Sequence, residues 1–78
     1  MTGADLELDC RGMRCPLPVI RLSQRIGDVE VGQTVAVAAE DTAARSDVPA
    51  WCRMRRHEYL GEDDSPDGTP RYLVRRLH

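Results

Sequence analysis

Asp5-Leu6-Glu7-Leu8-Asp9-Cys10-Arg11-Gly12-Met13-Arg14-Cys15-Pro16-Leu17-Pro18-Val19-Ile20-Arg21-Leu22-Ser23-Gln24-Arg25-Ile26 changes its hydrophobic period once, and that change decides the fold. From Asp5 to Cys10 polar and apolar residues alternate, the period of a half-buried strand with Leu6, Leu8 and Cys10 on its core face. From Cys15 to Ile26 the pattern is helical: Val19, Leu22 and Ile26 recur at helical spacing, while Arg21 and Arg25 lie on a more exposed side. Arg11-Gly12-Met13-Arg14 joins the two as a loop, in which Gly12 can take backbone conformations that other residues resist. Gly27-Asp28 ends the helix.

Downstream, Gly32 precedes a second strand, Thr34 to Ala39, with Val35, Val37 and Ala39 on one face. Asp41 or Thr42 is placed to cap a short second helical region. Pro49 is expected to reset it, because a proline disfavours helical geometry in the residue before it, here Val48. A further turn or two, Ala50 to Arg55, would bury Trp51 and Met54. His57 to Glu62 and Arg71 to Leu77 read as strands, joined by an acidic turn from Glu62 to Gly68 that ends in the strong turn signal Asp67-Gly68. The predicted fold is α/β (α+β), a two-layer sandwich of order strand-helix-strand-helix-strand-strand. Its four-stranded mixed sheet carries two helices on one face, with right-handed crossovers between parallel neighbours.

Composition bounds the function. Seventy-eight residues predict a single domain, 1–78, because so short a chain cannot divide into two cores. Apolar residues make up 41%, but Phe is absent and only Trp51, Tyr59 and Tyr72 carry large rings, so the core is thin. No deep cavity fits, and chemistry belongs on the surface. With 13 acidic and 11 basic side chains the net charge is −2, too balanced for a dedicated nucleic-acid binder. Every basic residue is Arg, and the absence of Lys excludes lysine Schiff-base chemistry. The three cysteines are odd in number, and Met1 to Asp9 is acidic without the basic-then-apolar pattern of an export signal. No run approaches the ~20 apolar residues of a membrane span. These features predict a cytoplasmic protein with free thiols and no membrane partner.

Arg14-Cys15-Pro16-Leu17-Pro18 is where chemistry is expected. Cysteine is not a favoured N-cap residue, so a helix start chosen for stability alone would rarely use it. The positive end of the helix dipole favours the thiolate, the reactive form, and Arg11 and Arg14 would add to that. With Cys15 at the N-cap, Pro16 and Pro18 occupy the first and third helical positions and bring no N–H, leaving Leu17 as the main donor. A moderate lowering of the thiol pKa is predicted. Pro16 also fixes the turn and biases Cys15 towards an extended backbone, so that its sulfur points outward from a preset platform.

The stretch Leu8-Asp9-Cys10-Arg11-Gly12-Met13-Arg14-Cys15-Pro16-Leu17-Pro18-Val19-Ile20 closely resembles the signature of the TusA-like (SirA-like) sulfurtransferases, and Pro49-Ala50-Trp51-Cys52-Arg53 resembles a second stretch of that family. The resemblance runs from Leu6 to about Arg76. Met13, where Leu is usual, is a soft change of similar volume. The resemblance implies a sulfur carrier or sulfurtransferase, an enzyme whose turnover depends on partner proteins. Carried onto this chain, Cys15 of the Cys-Pro-x-Pro motif accepts sulfane sulfur from a persulfide donor, often a cysteine desulfurase, and passes it to an acceptor protein. Routes implied are tRNA thiolation, molybdenum-cofactor maturation and sulfur oxidation. Neither a cofactor nor direct nucleic-acid binding is expected, and a monomer is. The family fold is likewise a two-layer α/β sandwich.

Other residues read as supporting. Asp9, Arg11, Gly12, Arg14, Pro16 and Pro18 form the loop and helix start around Cys15, with Asp9 and Gly12 chiefly shaping the loop. Cys10 and Cys52 read as small buried hydrophobes. Arg53, Arg55 and Arg56, with Arg45 and Arg21, read as a solvated basic face, with a docking surface for an acidic partner as the lesser reading. His57 and His78 form no metal-ligand pattern with the thiols, and no metal is expected. The alternative function is a non-enzymatic redox or regulatory module in which Cys10 and Cys15 pair under oxidation. That pairing requires their Cα atoms within about 7 Å.

Overall fold

The computed structural model describes residues 4–78; residues 1–3, the start of the acidic N-terminal stretch, lie outside them. The elements are strand β1 (Leu6–Asp9), helix α1 (Leu17–Arg25) with a 3-10 turn at Ile26–Asp28, strand β2 (Thr34–Ala38), helix α2 (Ala44–Arg55) and strands β3 (Glu58–Asp64) and β4 (Pro70–Arg75). They occur in the predicted order. The sheet runs β1-β2-β4-β3, with β1 parallel to β2 and β4 antiparallel to both β2 and β3.

Register explains why one face is apolar. Val35 pairs with Leu6 and Val74, and Val37 with Leu8 and Tyr72, so one row of branched and aromatic side chains crosses three strands. The helices cover this face: Leu22 of α1 and Val48, Trp51 and Cys52 of α2 join it in one buried cluster. Cys10, Val35, Val37, Val48 and Val74 are wholly buried there. Leu6, Val19 and Ile26 pack at its edge. The result is the mixed two-layer sandwich that the sequence predicts.

A bulge between Tyr59 and Gly61 shifts the register of β3 against β4. Tyr59 pairs with Val74 and Glu62 with Tyr72, so two residues an odd number of positions apart both lie on the helix-facing side. Gly61 carries the bulge at φ 128°, a conformation that costs a glycine little. Arg45 of α2 then reaches Glu62 with two hydrogen bonds, of 3.1 and 3.0 Å.

Two expectations about α2 fail. Pro49 does not reset the helix, which runs unbroken from Ala44 to Arg55. An interior proline forfeits one hydrogen bond and costs about 3 kcal/mol. Burial of Ala44, Val48, Trp51 and Cys52 along one side of α2 opposes that cost, and tertiary packing overrides the local preference at Val48. Met54 is 74% exposed, not buried, because in the continuous helix it falls off that side. The helix ends on Arg56 in the left-handed conformation, with the His57 N–H donating to the Cys52 carbonyl at 3.0 Å.

Candidate functional site

Cys15 stands on a stair of turns between β1 and α1. The Met13 N–H donates to the Cys10 carbonyl at 3.1 Å, the Leu17 N–H to the Arg14 carbonyl at 2.8 Å, and the Ile20 N–H to the Pro16 carbonyl at 3.0 Å. The Cys15–Pro16 peptide is cis, and Pro16, not Cys15, occupies the N-cap position of α1. Pro18 is buried and helps seat the first turn of the helix. Cys15 is exposed, whereas Cys10 and Cys52 are buried in the core and all three are free. Burial pushes the Cys10 thiol above its ordinary pKa and the Cys52 thiol up to about 11.

The residues around the thiol are acidic. The Cys15 N–H donates to Asp41 Oδ2 at 2.9 Å, and the Cys15 thiol lies 2.7 Å from Asp47 Oδ2, to which it donates. Gly12, at φ 81°, donates its N–H to Glu40 Oε1 at 3.0 Å. Gly12, Met13, Arg14, Glu40 and Asp41 together line a shallow depression beside the cysteine. Asp41 serves two segments at once, since its Oδ1 also accepts the Ala43 N–H at 3.0 Å ahead of α2. These N–H groups, first that of Cys15 and then that of Ala43, hold its carboxyl below the usual carboxylate range, and Arg14 adds its charge.

The electrostatics reverse the expected lowering of the thiol pKa. The hydrogen bond to Asp47 is the largest cause pushing the Cys15 thiol above its ordinary 9.0, followed by desolvation and the charges of Asp47 and Asp41. Three features of the local geometry explain the reversal. The helix begins at Leu17, beyond the cysteine. The Leu17 N–H is engaged by Arg14. The Arg11 guanidinium is turned away, donating to Asp9 from Nε and Nη2 at 2.8 Å each and to Asp67 from Nη1 at 2.6 Å.

Arg11 therefore ties the loop to the β3–β4 hairpin. Asp9 also accepts the Arg11 N–H, at 3.1 Å, and the Arg11 side chain and backbone together hold its carboxyl down to about 2. Of the residues singled out from the sequence, the structure thus brings Arg14, Pro16 and Gly12 around Cys15 and places Asp9 and Arg11 in a separate clamp. The arginines named as a basic face are partly engaged: Arg45 with Glu62, and Arg55 with Ser23 Oγ and over the Trp51 ring.

Asp47 and Glu40 escaped the sequence reading, and Asp41 entered it only as a cap. Asp47 has an ordinary local explanation, because it lies in the first turn of α2, where an acidic residue complements the helix dipole. Nothing in sequence spacing links Asp47 to a cysteine 32 positions earlier.

Comparison with known proteins fits this geometry. The family model described as sulfurtransferase TusA matches residues 6–76. The chain is also similar to the crystal structure of a SirA-like protein from Desulfitobacterium hafniense, at a TM-score of 0.77 and 19% identity over 94% of this chain and 99% of that one. At that identity the likeness shows the shared fold. With the family model spanning β1 to the end of β4, this chain belongs to the TusA family of sulfurtransferases and sulfur carriers.

Proposed function

We propose that Cys15 accepts sulfane sulfur as a persulfide from a donor protein, such as a cysteine desulfurase, and relays it to an acceptor protein. One observation carries the reading: Cys15 is the exposed thiol of three, on a proline-bounded turn ahead of α1, in a chain of the TusA family. In the loading step the Cys15 sulfur attacks the outer sulfur of the donor persulfide. The donor S–S bond breaks with its electron pair on the donor sulfur, which takes up the proton Cys15 releases. One neutral sulfur atom changes hands without net oxidation. The reverse logic applies when an acceptor thiol attacks the outer sulfur on Cys15. Three free thiols fit a reducing compartment, and we place the relay in the cytoplasm.

The alternative, oxidative pairing of Cys10 with Cys15, gains no support. Cys10 is wholly buried in the core cluster, while the Cys15 sulfur faces Asp47. The test of the carrier reading is intact mass after incubation with a cysteine desulfurase and cysteine, followed by peptide mapping. A reducible gain of one or more sulfur atoms confined to Cys15 is expected. No gain, with polysulfide as a second donor, would sink it.

A further inference from the structure

The carboxylates around Cys15 have a consequence for which sulfur compounds the site accepts. Asp47 touches the sulfur itself, Asp41 holds the N–H of the same residue, and Glu40 holds the Gly12 N–H across the depression. Among the described residues no guanidinium is bonded to the sulfur or to these three carboxylates: Arg11 is bound to Asp9 and Asp67, and Arg71 to Glu7 and Asp63. Arg14 lies near Asp41 and its charge helps to hold that carboxyl ionised.

We propose that Asp47, backed by Asp41, is the specificity-determining group of this site, admitting sulfur donors that are neutral or bear a proton at the reacting sulfur and excluding those with a fixed negative charge there, such as thiosulfate. The inference rests on Cys15 as the sulfur acceptor. A persulfide is attacked at its outer sulfur in the S–H form, and the Asp47 carboxylate accepts a hydrogen bond from a protonated sulfur that faces it, as it does from the Cys15 thiol. With thiosulfate the same attack forms an Sγ–S bond and breaks the S–S bond; sulfite leaves with the electron pair and takes the thiol proton, giving hydrogensulfite. The charges balance, but the dianion must come within a few ångströms of two carboxylates. One unit of like charge at contact distance in water costs about a five-fold change in rate or occupancy.

A matched pair of alkylating agents reads the charge effect directly. Iodoacetamide and iodoacetate attack the same sulfur and lose the same iodide, and differ by one negative charge. Their second-order rates at Cys15, resolved by peptide mapping at low salt, are compared for wild type, Asp47→Asn and the denatured chain. Wild type should prefer the neutral reagent more strongly than the denatured chain does. Asp47→Asn, close in shape, should react faster with both and shrink the preference by about five-fold. A preference unmoved by Asp47→Asn in a folded protein overturns the proposal. Should that variant unfold, wild type at 1 M salt decides, because screening there acts within about 3 Å and must shrink the preference in the same direction. Loading from cysteine persulfide is measured on the same samples. A chain that shows the charge preference but takes no sulfur loses the carrier reading and keeps the discrimination.

Discussion

The thiol of Cys15 donates a hydrogen bond to Asp47 Oδ2 at 2.7 Å, so the exposed cysteine on the turn ahead of α1 is held by a carboxylate of α2. The turn ahead of α1 and the first turn of α2 thereby meet at this sulfur, while the two helices themselves meet in the core. The resting site is a neutral thiol capped by an anion, and reactivity must rise when something displaces or neutralises that cap.

That pairing sets a pH dependence. Hydrogen bonding to Asp47, desolvation and the nearby charges of Asp47 and Asp41 raise the thiol above 9.0, so thiolate is scarce near neutrality. Alkylation of Cys15 by iodoacetamide should climb with pH along a curve whose midpoint lies above that of the same cysteine in the denatured chain. In Asp47→Asn the midpoint should fall back towards the denatured value. Equal midpoints in folded and denatured protein would contradict the geometry.

Thiol counting separates the three cysteines. The native protein should titrate one thiol rapidly with a disulfide reagent and all three after denaturation, since Cys10 and Cys52 are buried. Cys15→Ser should abolish both the rapid thiol and sulfur loading, while Cys10→Ser and Cys52→Ser leave loading largely intact.

Leu22 is the fully buried leucine of α1 and pins that helix to the sheet. Leu22→Ala should cost about 3 kcal/mol and lower the Tm by more than about 10 °C, measured by thermal unfolding. Because α1 follows directly on the Cys15 turn, sulfur loading should also slow before the chain unfolds.

Arg56 holds a left-handed backbone, φ 62°, at the end of α2. Glycine adopts that conformation without the Cβ penalty, so Arg56→Gly should stabilise the protein by roughly 0.5–1 kcal/mol. A fall in Tm would show that the exposed arginine contributes more than its backbone costs.

His57 links the end of β4 to α2. It stacks between Trp51 and His78, and its Nδ1 accepts the Leu77 N–H at 3.1 Å, which requires that nitrogen to be unprotonated. Burial, then the charges of His78, Arg76 and Arg55, lower its pKa below the ordinary 6.5. The unfolded chain therefore binds the proton more readily. The stability from this contact is full above pH 6.5 and is lost as pH falls through the lower folded value. Thermal unfolding between pH 8 and 5 should show that loss, and His57→Phe should flatten it.

The alternation in Leu6-Glu7-Leu8-Asp9-Cys10, the helical recurrence of Val19, Leu22 and Ile26, and the Asp67-Gly68 turn were enough to read the order of elements, because periodicity and turn chemistry are local properties of the backbone. The motif around Cys15 is likewise local, and it carries the family resemblance by itself. What local reading misplaced was set by contacts between distant segments. Pro49 stays inside a helix because Val48, Trp51 and Cys52 gain burial against the sheet, a gain that no propensity registers. Met54 is exposed for the same reason. At the site, the sequence by itself determined which cysteine stands at the head of α1 and that prolines frame it. Only the tertiary structure decided its electrostatics, because the Asp41 and Asp47 carboxylates reach Cys15 across a chain separation that the fold alone closes. Pairing with Asp9 and Asp67 at the same time turns the Arg11 charge away from the sulfur.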